Sequence, residues 1–143
     1  MPREVQFVHT EANDPKWNMP YAPAIKVRSG TLVFMAGVTA AGVYHRHPHD
    51  ASDFASIPED PAEQARLTME NLQEVLAAAG GGLTDVVSLM KFMVDCEKNQ
   101  DAINRVVGQS FGEHRPTSTL VEVVRLAPDP RLVLEISAIA VVD

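Results

Sequence analysis

The sequence predicts an α+β domain in which two helices cover one face of a mixed sheet. Runs of β-forming residues stand at both ends of the chain, and two stretches with helical apolar spacing lie between them. Because paired strands begin and end this order, an alternating doubly wound sheet is excluded. We therefore predict the order β-β-α-β-α-β-β within a single domain of residues 1–143.

Before the first helix the sequence predicts an irregular leader followed by a hairpin. Residues 1–20 are assigned to the leader, because prolines and polar residues are frequent toward its end. Two β-forming runs, at residues 24–28 and 31–36, flank Ser29-Gly30. A connection this short is typical of a hairpin, so we expect the two runs to pair with each other.

The two helices are predicted from start and stop signals. Asp60-Pro61 begins the first, since proline is tolerated at the first helical position and acids favour the positive end of the helix dipole. Glycines 80–82 end it, and the second helix spans residues 98–111 and stops at Gly112. The apolar stripe of the first helix comprises Leu72, Val75, Leu76 and Ala79.

The remaining strands are predicted at residues 86–94, 118–124 and 131–142, with a Pro-Asp-Pro turn before the last. Two helices on one side of the sheet leave its other face open. An open face bearing Val, Leu and Ile would promote aggregation of a monomer, and symmetric association is the usual remedy. We therefore expect a ring of identical chains, and specifically a homotrimer.

Composition and charge disfavour several classes of function. No apolar run approaches the ~20 residues of a membrane helix, and the N-terminus lacks a signal peptide, so we expect a cytoplasmic protein with no membrane partner. Twelve Lys and Arg against 19 Asp and Glu give a net charge of -7, which disfavours nucleic-acid binding. Cys96 is the only cysteine, which excludes an intrachain disulfide; a packed thiol is favoured over a nucleophile.

An ordered set of segments between Tyr21 and Val141 resembles a known family. The segments are Tyr21-Ala22-Pro23-Ala24-Ile25-Lys26, Glu63-Gln64-Ala65-Arg66, Glu70-Asn71-Leu72, Phe111-Gly112-Glu113-His114-Arg115-Pro116 and Leu134-Glu135-Ile136-Ser137-Ala138-Ile139-Ala140. Together they resemble the Rid (YjgF) family of enamine and imine deaminases. The resemblance implies a chorismate-mutase-like fold, a homotrimer, and clefts between subunits that are lined by late strands of one chain and the hairpin of another. It implies a small-molecule substrate, and we expect no cofactor.

One position departs from the family pattern in a way that bears on the substrate. In deaminating members an arginine in a Pro-x-Arg-Ser/Thr stretch binds the substrate carboxylate through two parallel hydrogen bonds. Here the stretch 116–119 places Ser118 at that position, and a hydroxyl offers one donor and no charge. Ala36 and Leu120 stand where many members carry serine and cysteine, so the pocket is less polar. Small 2-imino acids are therefore expected to bind poorly.

Three polar residues stand where the family pattern has the same residue. Glu135, the predicted catalytic group, is the sole charge within residues 132–142, and a carboxyl in an apolar strand is usually paired or functional. It could move a proton or activate water near neutral pH; the alternative is a carboxylate satisfied by backbone amides. Tyr21 could bind a substrate carbonyl, stack on a flat ligand or cover an interface. Asn104 is either a substrate-binding residue or an ordinary polar residue of the second helix.

The loop predicted at residues 38–60 contains three histidines. His45, His47 and His49 would share one face of an extended segment. Their spacing matches no zinc signature, so no metal site is predicted. One of these histidines, with His47 and His49 as the named candidates, or Arg46 could instead reach the cleft as an anchor or proton carrier; the alternative is a solvated loop. A Ser-His-Asp arrangement on Ser118 is rejected because no nucleophile-elbow glycines surround it.

Two functions follow from these residues. The first is a hydrolase or related acid-base enzyme that acts on an enamine, imine or activated carbonyl compound lacking the usual 2-imino-acid carboxylate. The second is a non-catalytic relative that binds a small metabolite or a regulatory partner in the same cleft. Ribonuclease activity, a third alternative, is weakened by the acidic charge balance.

Overall fold

The computed structural model describes residues 1–43 and 47–143 and confirms the α+β class. His45 and Arg46 lie outside the described residues. The strands and α-helices of the described residues, in chain order, are β1 (Glu4–Val8), β2 (Ala24–Ser29), β3 (Thr31–Val38), α1 (Pro61–Ala78), β4 (Val86–Val94), α2 (Cys96–Phe111), β5 (Thr117–Val123) and β6 (Leu134–Val142). The order thus has one strand more than predicted, at its start.

The main sheet is mixed and has four strands in the order β3-β6-β4-β5. β6 is antiparallel to both β3 and β4, whereas β4 and β5 are parallel. Parallel neighbours need a crossover connection, and α2 provides it between β4 and β5. This places α2 directly over the β4–β5 edge of the sheet.

The first thirty residues differ from the prediction. The supposed leader contains β1, which pairs antiparallel with β2 to form a separate two-stranded sheet. β2 and β3 therefore do not form the expected hairpin, although one residue separates them. Gly30 between them has φ of 117° and lies against Val141 and the Val142 carbonyl, so the chain turns there from one sheet into the other.

Both helices pack on the same face of the main sheet, around one apolar core. On α1 the buried apolar positions are Ala65, Met69, Leu72 and Leu76, a repeat with alternating spacings of four and three residues. The predicted stripe was right for Leu72 and Leu76 but wrong for Val75, which is 40% exposed. The helix starts where predicted, because the Asp60 side chain accepts a hydrogen bond from the Ala62 amide at 3.0 Å.

A buried glutamine fixes the approach to β6. The Gln64 side chain is almost completely buried. Its amide nitrogen donates to the carbonyl oxygens of Pro58 and Arg131 at 2.9 and 2.8 Å, and its oxygen accepts from the Val133 amide at 3.0 Å. These bonds tie the start of α1 to the segment that leads into β6, and an unpaired amide in their place would be costly.

The long loop before α1 is partly ordered. A capped 3-10 turn at Ala51–Phe54 follows Asp50, and Phe54 is fully buried. The His49 ring contacts the Phe54 ring edge-on, with centroids 5.2 Å apart. The loop predicted at residues 38–60 therefore contains one short regular turn, which ends at the buried Phe54 side chain.

The sheet face opposite the helices is uncovered, as predicted. Leu32 and Phe34 of β3 are 50% and 72% exposed, and Met90 of β4 is 38% exposed. Their neighbours toward the helices, Val33, Met35 and Leu89, belong to or pack against the core. The strands therefore carry apolar residues on both faces, although one chain covers only one of them. Among the described residues, no helix is long and apolar enough to cross a membrane.

Candidate active site

Four of the predicted site residues line one cleft between α2 and the β5 edge. The cleft has a volume of about 320 Å³, and it is lined by Tyr21, Asn104, Ser118 and Leu120. Lys91, Phe111, Arg115 and Pro116 are among the other lining residues. The structure thus brings these four residues together, and their role in substrate binding stays a prediction.

Strand alternation aims Ser118 and Leu120 into the cleft. The two residues are two positions apart on β5, so their side chains point to the same side of the sheet. Their partners on parallel β4 are Leu89 and Lys91, which face the same way. The Lys91 ammonium donates a hydrogen bond to the Asn104 Oδ1 atom of α2 at 3.1 Å. The floor of the cleft is therefore β4 and β5, and its wall is α2.

The segment before β2 closes one side of this cleft. The Ala22 amide donates to the Pro116 carbonyl at 3.1 Å, and the Ala22 side chain is buried. The neighbouring Tyr21 hydroxyl donates to Asn13 Oδ1 at 3.3 Å. Tyr21 also borders a second cavity of about 420 Å³, which His9 and His114 help to line. Tyr21 thus borders two adjoining cavities.

Arg115 holds the same segment in place. Its guanidinium donates to the carbonyl oxygens of Met19, Gly112 and His114 and to the Asn18 side-chain oxygen. All these acceptors are uncharged protein groups. Arg115 lines the cleft, yet four of its five N–H donors fasten the chain around residue 19 to the end of α2.

Lys91 is a cleft residue that the sequence reasoning missed. It is half-buried, and burial lowers the pKa of its ammonium below the ordinary value of 10.5. A signal was present, because Lys91 is the sole charged residue in the apolar run from Val86 to Val94. The same reasoning, a lone charge within an apolar strand, singled out Glu135.

Glu135 does not lie in this cleft. It follows core residue Leu134 on β6, so alternation turns it toward the sheet face without helices. It borders a different cavity, of about 680 Å³, together with Gly37, Asn71 and Glu74. Among the described residues, none lines both cavities. Within one chain, the predicted catalytic carboxyl is therefore separated from Tyr21 and from the other predicted binding residues.

The surroundings of Glu135 are shaped by a glycine and an asparagine. A Cβ atom built on Gly37 would lie 2.1 Å from the Glu135 Oε1 atom, so the carboxylate occupies the space of a side chain at position 37. Asn71 of α1 donates to the carbonyl oxygens of Thr39 and Ala41 at 2.8 and 3.3 Å. These contacts hold the segment after β3 beside the carboxylate.

The other predicted binding residues lie outside the cleft. Ala36 is exposed on β3, next to Gly37. His47 and His49 border neither the cleft nor the Glu135 cavity. Among the described residues there is no group of three His, Cys, Asp or Glu side chains that could hold a metal ion.

Cys96 begins α2 in surroundings that disfavour a thiolate. Burial raises the pKa of its thiol, and the neighbouring Glu122 and Asp95 carboxylates raise it further. The Cys96 amide donates to Glu122 Oε1 at 2.8 Å, which keeps that carboxylate at the start of the helix. A nucleophilic thiol requires a lowered pKa, so this geometry agrees with the packed thiol favoured from the sequence.

A mixed sheet with both helices on one face, an uncovered apolar face and a cleft at the β5 edge are the features expected of a small α+β protein of the Rid class. The chain belongs to the Rid (YjgF) family: the family model described as Endoribonuclease L-PSP matches residues 11–142. Its fold is the chorismate-mutase-like α+β fold of that family.

Three relatives illustrate the similarity. The chain is 31% identical over 140 residues to a protein of Acinetobacter baylyi named 3-aminoacrylate deaminase RutC, covering 98% of both chains. The crystal structure of YyfB from Yersinia pestis, of the conserved Rid family, superposes with a TM-score of 0.78 at 26% identity and covers 96% of this chain and 98% of that one. The structure of Escherichia coli TdcF with bound serine has a TM-score of 0.65 at 34% identity, covering 87% and 90%.

Proposed function

We propose that this chain is a hydrolase of the deaminase type that acts on an enamine, imine or activated carbonyl compound lacking the usual 2-imino-acid carboxylate. The observation that carries the proposal is the gathering of Tyr21, Asn104 and Ser118 in one small cleft of about 320 Å³. The name of the relative RutC, 3-aminoacrylate deaminase, supports the reaction class. Serine at position 118 supports the exclusion of 2-imino acids as substrates, because a hydroxyl cannot form the two charged hydrogen bonds that a guanidinium makes with a carboxylate.

Assembly into a homotrimer is part of the proposal, because within one chain Glu135 lies away from the cleft of Tyr21 and Asn104. Glu135 lies on the uncovered sheet face, and that face exposes Phe34 and Leu32. Contiguous exposed apolar surface of this kind marks a protein interface. In the proposed trimer, Glu135 and Gly37 of one copy border the cleft of Tyr21 and Asn104 in the next.

The proposed reaction adds water across a carbon–nitrogen double bond and releases ammonia. For an enamine, the Glu135 carboxyl first donates its proton to the β-carbon, which produces an iminium ion. The carboxylate then takes a proton from a water molecule as the water oxygen attacks the iminium carbon, which gives a carbinolamine. Glu135 passes this proton to the amino group, the carbon–nitrogen bond breaks to release ammonia, and the hydroxyl group returns its proton to the carboxylate as the carbonyl forms. Positioned acid-base groups typically contribute about 10²- to 10⁴-fold to such steps. Tyr21 and Asn104 would orient the substrate by hydrogen bonds.

The second candidate is a non-catalytic protein that binds a small metabolite or a regulatory partner in the same cleft. It is favoured by the apolar character that Leu120, Phe111 and Val107 give to the cleft. Under this alternative Glu135 contacts the bound ligand or stabilises the assembly, and it transfers no proton.

Substitution of Glu135 tests the two candidates. Enamines and imines generated in situ would be assayed for release of carbonyl product and ammonia, with wild type, Glu135→Gln and Glu97→Gln. Glu97 is an exposed carboxylate of α2 and serves as the matched control. The enzyme proposal requires turnover that falls roughly 10²-fold or more in Glu135→Gln and is unchanged in Glu97→Gln. Ligand binding without turnover of any substrate by either wild type or variant would support the second candidate instead.

A further inference from the structure

The cleft contains an ammonium group that the proposed reaction does not use. Lys91 lies at the middle of β4 with its side chain toward α2, and it borders the cleft beside Ser118 and Leu120. Lysine is seldom found in such a position, since taking an ammonium out of water is costly unless something compensates for the loss. A half-buried cation in the substrate cleft therefore calls for a partner.

Protein groups accept only one of the hydrogen bonds that the Lys91 ammonium can donate. The Lys91 ammonium donates one hydrogen bond, to Asn104 Oδ1 at 3.1 Å. Within residues 1–43 and 47–143 it has no other hydrogen bond and no ion pair with a carboxylate. An ammonium has three N–H donors, so two of them remain for a group that enters the cleft.

The other cation of the cleft is in a different situation. Arg115 donates to four protein oxygens, of Met19, Gly112, His114 and Asn18, and these bonds fasten the segment before β2. Its geometry is that of a structural group. Of the two Lys and Arg residues that border the cleft in the described chain, Arg115 has four of its five N–H donors bonded to protein oxygens, whereas Lys91 has two of its three left for a ligand.

Two neutral donors lie beside Lys91. Because Asn104 Oδ1 accepts from the ammonium, the Asn104 Nδ2 amide is left with its own N–H groups for the cleft. The Ser118 hydroxyl borders the same cavity from β5. An ammonium, an amide N–H and a hydroxyl form a set of donors that suits an anionic oxygen.

We propose that Lys91, assisted by Asn104 and Ser118, is the specificity-determining residue of an anion subsite, and that the substrate is a small organic carboxylate held there at a single point. The part of this inference that concerns the substrate of the reaction rests on the proposed function. Because that function excludes a carboxylate on the reacting carbon, the anionic group belongs elsewhere on the molecule. The ammonium binds it as a point charge, without the two-pronged geometry that a guanidinium imposes.

The subsite can be tested by binding alone, so that its outcome does not depend on turnover. Butyrate and butyramide have nearly the same shape and differ in charge, and they serve as probes in titration calorimetry. We expect Lys91→Met to weaken butyrate binding by roughly 10- to 100-fold and to change butyramide binding little, since charged hydrogen bonds account for a difference of that size. Lys91→Arg, which keeps the charge, should retain most of the affinity. Lys98→Met removes an exposed ammonium of α2 and should bind butyrate like wild type.

A second measurement uses wild-type protein and therefore does not depend on the folding of a variant. In wild-type protein with ¹⁵N-labelled lysine side chains, butyrate should shift the Lys91 ammonium resonance and butyramide should not. Equal butyrate affinity in wild type and Lys91→Met would overturn the inference even if deamination is confirmed. Trapping of a carbonyl ligand on Lys91 by borohydride would also overturn it, because the amine would then act as a nucleophile. Lys91-dependent binding without any turnover would leave the subsite standing and refute the proposed reaction.

Assembly provides the remaining control. If Lys91 instead pairs with a carboxylate of a second copy, Lys91→Met should alter the oligomeric state measured by light scattering and leave butyrate affinity unchanged. That result would contradict the inference. The expected result is an unchanged molar mass together with the loss of butyrate affinity.

Discussion

The Glu135 carboxylate lies against Gly37, in the space that a side chain at position 37 would occupy. A Cβ atom there would be 2.1 Å from Oε1 and 2.8 Å from the carboxyl carbon of Glu135. Atoms cannot approach this closely, so the carboxylate and any residue larger than glycine exclude each other. The proposed catalytic group is thus positioned by the absence of a side chain on the adjacent strand.

This contact predicts the effect of Gly37→Ala. The added methyl group should displace the Glu135 carboxylate and lower the proposed turnover at least about tenfold, since small misplacements of a reacting group are costly. Stability should fall by about 1 kcal/mol or less, because the displaced atoms are the mobile end of a side chain. The matched control is Gly82→Ala, where a Cβ meets nothing within 4 Å. Steady-state kinetics and urea unfolding measure the two effects; wild-type turnover in Gly37→Ala would contradict the role given to the contact.

The uncovered sheet face predicts a charge-sensitive assembly. Phe34 is 72% exposed in the single chain, and Phe34→Glu would place a carboxylate in the proposed trimer interface. We expect the variant to lose the molar mass of a trimer in light scattering, because burying an unpaired charge is prohibitively costly.

Gln109→Glu adds the same charge to the exposed side of α2 and provides the control. It should retain the wild-type mass. A wild-type protein that sediments as a monomer would refute both the trimer and the proposed reaction, since Glu135 would then have no access to the cleft.

The turn before β6 predicts a pH-dependent contribution to stability. Hydrogen bonds from Arg131 lower the pKa of the Asp129 carboxyl to about 2. Because the folded pKa lies below the unfolded value, the ion pair stabilises the fold above about pH 4, and the contribution is lost as pH falls toward 2. Asp129→Asn should therefore lower the free energy of unfolding at pH 7 by about 1 kcal/mol, after allowance for solvent around the half-exposed Arg131.

Urea unfolding at a series of pH values checks this prediction. The difference between wild type and Asp129→Asn should be constant from pH 7 to about pH 5 and should shrink at lower pH. A difference that persists unchanged at pH 3 would show that the loss comes from packing and not from the charge.

The environment of Cys96 predicts low thiol reactivity. Burial and the nearby Glu122 and Asp95 raise the pKa of this thiol, so the thiolate is scarce at neutral pH. Alkylation by iodoacetamide at pH 7 should be slower for Cys96 than for free cysteine. The pH at which the alkylation rate rises should also be higher for Cys96 than for free cysteine. Cys96→Ser should retain the proposed activity. Rapid alkylation at pH 7 accompanied by loss of turnover would contradict this interpretation.

Some features could be predicted from local sequence and others could not. Asp60 and the glycines after Ala79 mark the ends of α1, because caps act within one helical turn. The pairing of β2 could not be predicted in the same way. The short Ser29-Gly30 connection suggested a hairpin, yet β2 pairs with β1 and β3 pairs with β6. Strand pairing is a long-range choice, which connection length alone does not decide.

The amino-acid sequence by itself determined which residues carry charge in otherwise apolar strands, Glu135 and Lys91, and which residues end each helix, because these are properties of neighbours along the chain. Only the tertiary structure decided that Lys91 shares a cleft with Ser118 and Asn104, while Glu135 borders a different cavity. The physical reason is strand order. β6 lies between β3 and β4, with β5 at the far edge, so residues distant in sequence become neighbours and two lone charges face opposite sides of one sheet.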